Sequence, residues 1–157
     1  MISLPQSDTA SVTKVLGPQG LLEQNLNAFE PRPQQLEMAV AVQNALIKGR
    51  NLAVEAGTGV GKSFAYLIAA VNTIAQKHQK VLISTYTINL QQQLINKDIP
   101  VLADILEQPF TARLAKGRNN YLCLRRLRYA FKKQRQLFDD ITEQLVRINE
   151  WANNTED

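Results

Sequence analysis

Ala56, Gly57, Thr58, Gly59, Val60, Gly61, Lys62 and Ser63 follow one another along the chain, and these residue types in this order can hold a row of phosphates. Gly57, Gly59 and Gly61 can take backbone angles closed to other residues, so successive N–H groups can converge on phosphate oxygens. A helix beginning at Lys62 would present its positive N-terminal end to the same anion. Lys62 would neutralise the β- and γ-phosphates, and the Ser63 hydroxyl would ligate Mg²⁺. A nucleoside triphosphate and Mg²⁺ are therefore the expected ligands. Ala56 stands where the first glycine of the strict pattern falls. The bland alternative is a flexible glycine turn, but an apolar run leads in and a helical pattern leads out, as phosphate binding requires.

Such a loop alone does not separate kinases, GTPases, transporters and helicases. Three neighbouring features narrow the choice. Arg32-Pro33-Gln34-Gln35, with Met38, lies about one helix before the loop. The Gln35 amide can both donate to and accept from an adenine edge, although a glutamine taken alone is more often a surface residue. An apolar run ends in Ser84-Thr85 and is followed by Leu90-Gln91-Gln92-Gln93-Leu94. Hydroxyls and amides at such a place can hydrogen-bond the phosphates of a single strand. Lys116-Gly117-Arg118-Asn119-Asn120-Tyr121-Leu122-Cys123 sets a lone thiol beside a basic turn. One cysteine cannot form an internal disulfide, and alone it cannot hold a metal.

Charge is distributed unevenly. Residues 1–107 are neutral overall, with eight basic and eight acidic side chains. Residues 108–138 carry nine basic side chains, among them Arg118, Arg125, Arg126 and Arg128, and no acid. Residues 139–157 carry one arginine against six acids, and the whole chain is +4. A basic stretch without counter-charge suits a polyanion such as a nucleic-acid backbone; the other reading is a solvated helix face.

These groups need elements to position them. Residues 1–30 show no clear period and read as a loosely ordered lead-in. Pro31 and Pro33 open a helix over 34–48 that Gly49 stops, with an apolar face of Leu36, Ala39, Val40, Val42, Ala45 and Leu46. Residues 51–55 are fit for a buried strand that feeds the glycine loop and a helix over 62–76. Residues 80–85 form a second strand, followed by a helix over 89–97, a short helix from Ile99-Pro100 to Glu107 and a third strand over 110–115. Strands alternating with helices predict an α/β fold with a parallel sheet and right-handed crossovers. From Tyr121 onward Leu124, Phe131, Phe138 and Leu145 recur every seven residues, as do Leu127, Ile141 and Ile148, with Gln134 interrupting. That pattern predicts a long helix with one buried stripe, packed on its own domain or in a coiled coil.

Together these residues resemble the iron–sulfur helicases of superfamily 2, the DinG/XPD group. Residues 55–63 look like that group's motif I. Arg32 and Gln35 match its adenine-reading Q motif, and Ser84-Thr85 with Leu90 to Leu94 is similar to motif Ia, which lies on single-stranded DNA. The segment ending at Cys123 resembles the one that supplies the first of four cysteine ligands to a [4Fe–4S] cluster. Asn120-Tyr121-Leu122-Cys123-Leu124-Arg125-Arg126-Leu127 and the tail from Trp151 to Asp157 look most like the bacterial YoaA branch. The likeness runs from about Phe29 to the last residue. It implies a RecA-like P-loop motor domain, ATP-driven 5′-to-3′ unwinding in DNA repair, contact with single strands and forks, a cluster in the complete protein, and a possible replication or repair partner.

The match has limits. No Asp-Glu pair follows a buried strand, so this chain holds no catalytic acidic box; Asp139-Asp140 reads as a solvated helix face. Three of the four cluster cysteines are missing. The expected layout is a lead-in over 1–30, an incomplete RecA-like core over 31–115 and the start of an iron–sulfur and basic helical region over 116–157. The chain is expected to be the N-terminal portion of a longer helicase, inactive alone. Two other readings stay open: a nucleic-acid-binding module with a vestigial loop, and another phosphate-loop enzyme such as a small kinase. Without a signal-peptide pattern or an apolar run longer than residues 65–71, a cytoplasmic protein that does not enter membranes is expected.

Overall fold

In a computed structural model the described residues are 6–106, 108–133 and 139–155. The chain divides into two compact units, Met1–Leu114 and Ala115–Asp157.

The first unit is organised around two helices that run side by side in the same direction. Helix α3, Pro33–Lys48, begins on a proline, whose fixed φ suits a first helical turn, and ends on Gly49 in the left-handed region at φ 60°. Helix α4, Lys62–Lys77, begins after Gly61 and ends at His78, both left-handed. Three polar ties fix their register. At the N-terminal ends the Gln35 amide donates to the Gly61 carbonyl at 2.8 Å. At the other ends Lys77 Nζ donates to the Leu46 and Ile47 carbonyls at 3.1 and 2.9 Å, satisfying acceptors that a helix terminus leaves open. Midway, Asn72 Nδ2 donates to Ser11 Oγ at 2.7 Å and to Gln43 Oε1 at 3.4 Å.

The segment expected to be a loose lead-in instead belongs to the core. Helix α1, Gln6–Leu16, and the short helix α2, Leu21–Asn25, contribute Val12, Val15, Leu16 and Leu22, all buried with Ala39, Ala65, Ile68, Leu94 and Leu102. Val12, Val15 and Leu16 stand at the i, i+3, i+4 spacing of one helix face, and each fully buried aliphatic side chain contributes about 1.5–3 kcal/mol. Helix α5, Ile88–Gln93, passes through a π turn at Leu94–Asp98 into helix α6, Ile99–Ile105. Asp98 is buried there and accepts from Gln93 Nε2 at 3.0 Å.

The parallel sheet is the main departure from expectation. Residues 51–55, 80–85 and 110–115 are not helical, but no strand forms among the described residues, and no backbone hydrogen bond joins these segments there. A strand exists only through its neighbours. Leu52, Val54, Leu82 and Ile83 remain exposed, whereas strands of a parallel sheet are ordinarily covered on both faces. These apolar runs have the composition of buried strands, and among the described residues no flanking strand covers them.

In the second unit a 3₁₀ turn, Arg118–Asn120, precedes helix α7, Leu124–Lys133, and helix α8 spans Asp139–Asn154. The heptad stripe is only partly covered: Leu127 is buried, Phe131 and Leu145 are half-buried, and Leu124 and Ile148 are exposed. Gln134 and Phe138 lie outside the described residues, as does the side chain of Ile141, so the continuity expected of one long helix falls there too.

Candidate functional site

Gly59 and Gly61 have φ of 80° and 81°, values that cost an L side chain roughly 1–3 kcal/mol. Gly61 is constrained twice, because a Cβ there would collide with the Gln35 side-chain nitrogen and lie 2.9 Å from its Cδ. A Cβ on Gly57 would meet nothing within 4 Å, so the loop's floor is open where a phosphate needs room. Ala56 is outside the left-handed region, which explains why alanine can replace the usual glycine at that position. Its contribution is its carbonyl.

Lys62 already turns back into the loop. Its ammonium donates to the Ala56 carbonyl at 2.8 Å and to the Gly57 carbonyl at 2.6 Å. This places a positive charge over the loop where the β- and γ-phosphates would lie. Ser63 follows on the first turn of α4, half-buried, and its hydroxyl hydrogen-bonds the Tyr66 phenol one turn on. Burial raises the Tyr66 pKa above its ordinary value, the Ser63 bond opposes that, and the nearby Asp98 carboxylate adds to it. Thr58 is exposed and Val60 half-buried. Val60, Ala56 and Gly57 line one end of a cleft of about 530 Å³, whose walls are the α3 residues Gln34, Glu37 and Met38 and residues 52–55.

Gln35 does something that its sequence context did not reveal. Only 2% exposed, it spends an amide proton on the Gly61 carbonyl, which also accepts the Ala65 N–H at 3.4 Å. It therefore joins the start of α3 to the end of the glycine loop. Arg32 caps α3 with its backbone, pairs loosely with Glu30 at 3.9 Å, and extends a guanidinium nitrogen to within 4.0 Å of a Cβ built on Gly59.

At the end of residues 80–85 Ser84 is exposed and Thr85 half-buried. The Thr85 hydroxyl donates to the Thr87 carbonyl at 3.3 Å, so its proton is committed within the chain. Thr87, which sequence reasoning passed over, is the N-cap of α5. Its hydroxyl oxygen accepts the Leu90 N–H at 3.3 Å and keeps its own proton available. The signal was a threonine three residues before Leu90, a standard N-cap arrangement. Gln91 is half-buried on α5.

In the second unit Arg118, Arg125, Arg126 and Arg128 are exposed, and none forms an ion pair among the described residues. Lys133 lies 5.1 Å from the Tyr129 ring centroid, within cation–π range. Cys123 is exposed and precedes α7. Its pKa is lowered, chiefly because its sulfur accepts the Arg126 N–H, with help from the Arg125 N–H and both guanidinium charges. Among the described residues no group of three or more His, Cys, Asp or Glu is placed to hold a metal.

A family model described as DEAD/DEAH box helicase matches residues 33–145. The chain belongs to the DEAD/DEAH box helicase family. It is 40% identical over 146 residues to the ATP-dependent DNA helicase YoaA of Escherichia coli K12, covering 93% of this chain and 22% of that protein. It is 38% identical over 141 residues to the ATP-dependent helicase DinG of Mycobacterium tuberculosis H37Rv, with 79% and 21% covered. It is 32% identical over 125 residues to the 3′-5′ exonuclease DinG of Bacillus subtilis 168, with 80% and 13% covered. The chain thus spans about a fifth of the length of the helicases it matches. Family membership implies a RecA-like phosphate-loop fold, and the glycine loop with α4 is the part formed by the described residues. Asp139 and Asp140 open helix α8. No helix among the described residues is long and apolar enough to cross a membrane.

Proposed function

We propose that this chain is the ATP- and DNA-binding front of an ATP-dependent DNA helicase of the DinG/YoaA kind, acting 5′ to 3′ in repair, in the cytoplasm. The observation that carries this reading is the glycine loop, with two left-handed glycines and Lys62 already inside it. Lys62 would hold the β- and γ-phosphates and Ser63 the Mg²⁺ ion, with Arg32 and Gln35 on the nucleotide side. Single-stranded DNA would lie along Ser84, Thr85 and Gln91, and the arginines at 118, 125, 126 and 128 would grip its backbone. No Asp-Glu pair stands in this chain to activate water, so its role is to bind ATP rather than to hydrolyse it. The exposed edges at Leu52, Val54, Leu82 and Ile83 would be covered by the remaining strands of a RecA-like sheet. A replication or repair protein is a further partner of the whole enzyme.

A [4Fe–4S] cluster takes four cysteine thiolates, and Cys123 is the one cysteine present. These residues do not make a cluster site. In a longer protein Cys123 would supply one ligand, consistent with its exposure and lowered pKa.

The test is Lys62→Ala. Binding of a fluorescent ATP analogue, read by anisotropy with Mg²⁺ present, should be lost, while salt-sensitive binding to a single-stranded oligonucleotide persists. Unchanged nucleotide affinity would refute the loop assignment. A non-catalytic module with a vestigial loop is the second reading, favoured by the missing acidic pair; it predicts DNA binding with no nucleotide binding in the unaltered chain.

A further inference from the structure

Tyr86 stands just after residues 80–85 with its ring fully in solvent, 103% exposed. Aromatic residues carry a large apolar surface that folding normally covers. On its C-terminal side Tyr86 leads into an anchored turn. The Thr85 hydroxyl donates to the Thr87 carbonyl across it, and the Thr87 hydroxyl accepts the Leu90 N–H just beyond. Leu90 packs on the core, Leu94 is buried, and Gln93 is tied to the buried Asp98 at 3.0 Å. The open ring therefore stands beside a turn anchored to the core.

The surroundings indicate what such a ring receives. Ser84, two residues before it, is exposed, and the Thr87 proton is uncommitted; both can donate to phosphate oxygens. Residues 56–97 include Lys62, Lys77, Lys80 and Lys97 but no aspartate or glutamate, so no carboxylate close in sequence repels an anion. A π-face flanked by hydroxyl donors in an acid-free stretch is the arrangement with which proteins hold unpaired bases without reading their sequence.

We propose that Tyr86 is a base-stacking platform for single-stranded DNA, with the Ser84 and Thr87 hydroxyls donating to the phosphates on either side of the stacked base. The inference rests on the DNA-binding reading above and adds the contact that makes it selective for unpaired strands. A paired base offers no free face to the ring, so duplex DNA gains nothing from Tyr86.

The test measures affinity for a labelled oligothymidylate by anisotropy at low salt, for the unaltered chain, Tyr86→Ala and Tyr86→Phe. Tyr86→Ala should weaken binding about 5- to 150-fold, while Tyr86→Phe, which keeps the ring, should stay within about 2-fold. The slope of affinity against salt should not change in either variant, because no charge is removed. In a Trp151→Phe background, which removes the one native tryptophan, Tyr86→Trp should bind and its fluorescence should be quenched by the oligonucleotide. Equal binding by the unaltered chain and Tyr86→Ala would overturn the stacking role and leave the DNA reading standing; the ring would then cover another protein segment. Loss in Tyr86→Phe as large as in Tyr86→Ala would also overturn it, since the hydroxyl rather than the ring would be the contact. Absence of any oligonucleotide binding by the unaltered chain would refute both readings.

Discussion

Helices α4 and α7 each follow a residue suited to hold a ligand, yet they are supported in opposite ways. Half of α4 is buried: Ala65, Leu67, Ile68, Ala69, Ala70, Val71, Asn72 and Thr73 contact neighbours on several sides. In α7 Leu127 alone is buried, and Leu124 and Tyr129 are exposed with the arginines. Packing fixes where Lys62 and Ser63 stand to within the tolerance of a close-packed interior. The positions of Arg125, Arg126 and Arg128 are fixed only by the helix they share. The first design suits a small ligand of defined geometry. The second suits a polymer whose charge is spread along its length.

The sharpest way to break this contrast is in the core. Ile68→Ala should cost about 2–5 kcal/mol of stability, and Leu124→Ala within about 0.5 kcal/mol, both read from denaturant unfolding. Equal costs would mean that α7 is packed as firmly as α4. Next in size is Gly61→Ala, expected to cost about 1–3 kcal/mol through its left-handed backbone and to weaken nucleotide binding through its collision with Gln35. Because one collision links the two positions, adding Gln35→Ala should be less than additive; strict additivity would mean that Gln35 does not support the loop.

For α7 the expected effect is on binding rather than folding. Replacing Arg125, Arg126 and Arg128 by alanine should flatten the dependence of log affinity on log salt by about 2, from some 0.7 per phosphate contact on a single strand, while the unfolding midpoint stays put. An unchanged slope would make that face merely solvated. The smallest effect concerns Cys123. With its pKa lowered, the thiolate persists to lower pH than in a free cysteine, so alkylation should remain fast below the usual thiol range. Arg125→Ala with Arg126→Ala should move that profile upward only in part, because the backbone N–H of Arg126 is the larger cause and remains. A full return to ordinary cysteine behaviour would show that the guanidinium charges dominate.

What could be read from the residues depended on how local its cause is. The bounds of α3 and α4 follow from Pro33, Gly49 and the Gly61-Lys62 step, all punctuation within a few residues, and the phosphate loop was legible for the same reason. The i, i+3, i+4 set Val12, Val15 and Leu16 was equally local, but three residues among the first thirty do not make a clear period. Residues 51–55 and 80–85 have strand composition, but a strand requires partners that lie elsewhere. The Gln35–Gly61 bond joins residues 26 apart, and no local pattern foretells it. The commitment of the Thr85 proton to Thr87 likewise had to be seen. The heptads of the second unit predicted burial that Leu124 and Ile148 do not have, since periodicity shows which residues share a face and not what covers it.

The return of Lys62 onto the Ala56 and Gly57 carbonyls has one more consequence. The Lys62 ammonium has two carbonyl partners of its own, at 2.8 and 2.6 Å. Any arriving anion must compete for that ammonium, so occupation is an exchange of partners rather than a simple capture. A lone phosphate offers little beyond what the two carbonyls already give, whereas a triphosphate brings enough oxygens to engage the ammonium and the loop N–H groups together.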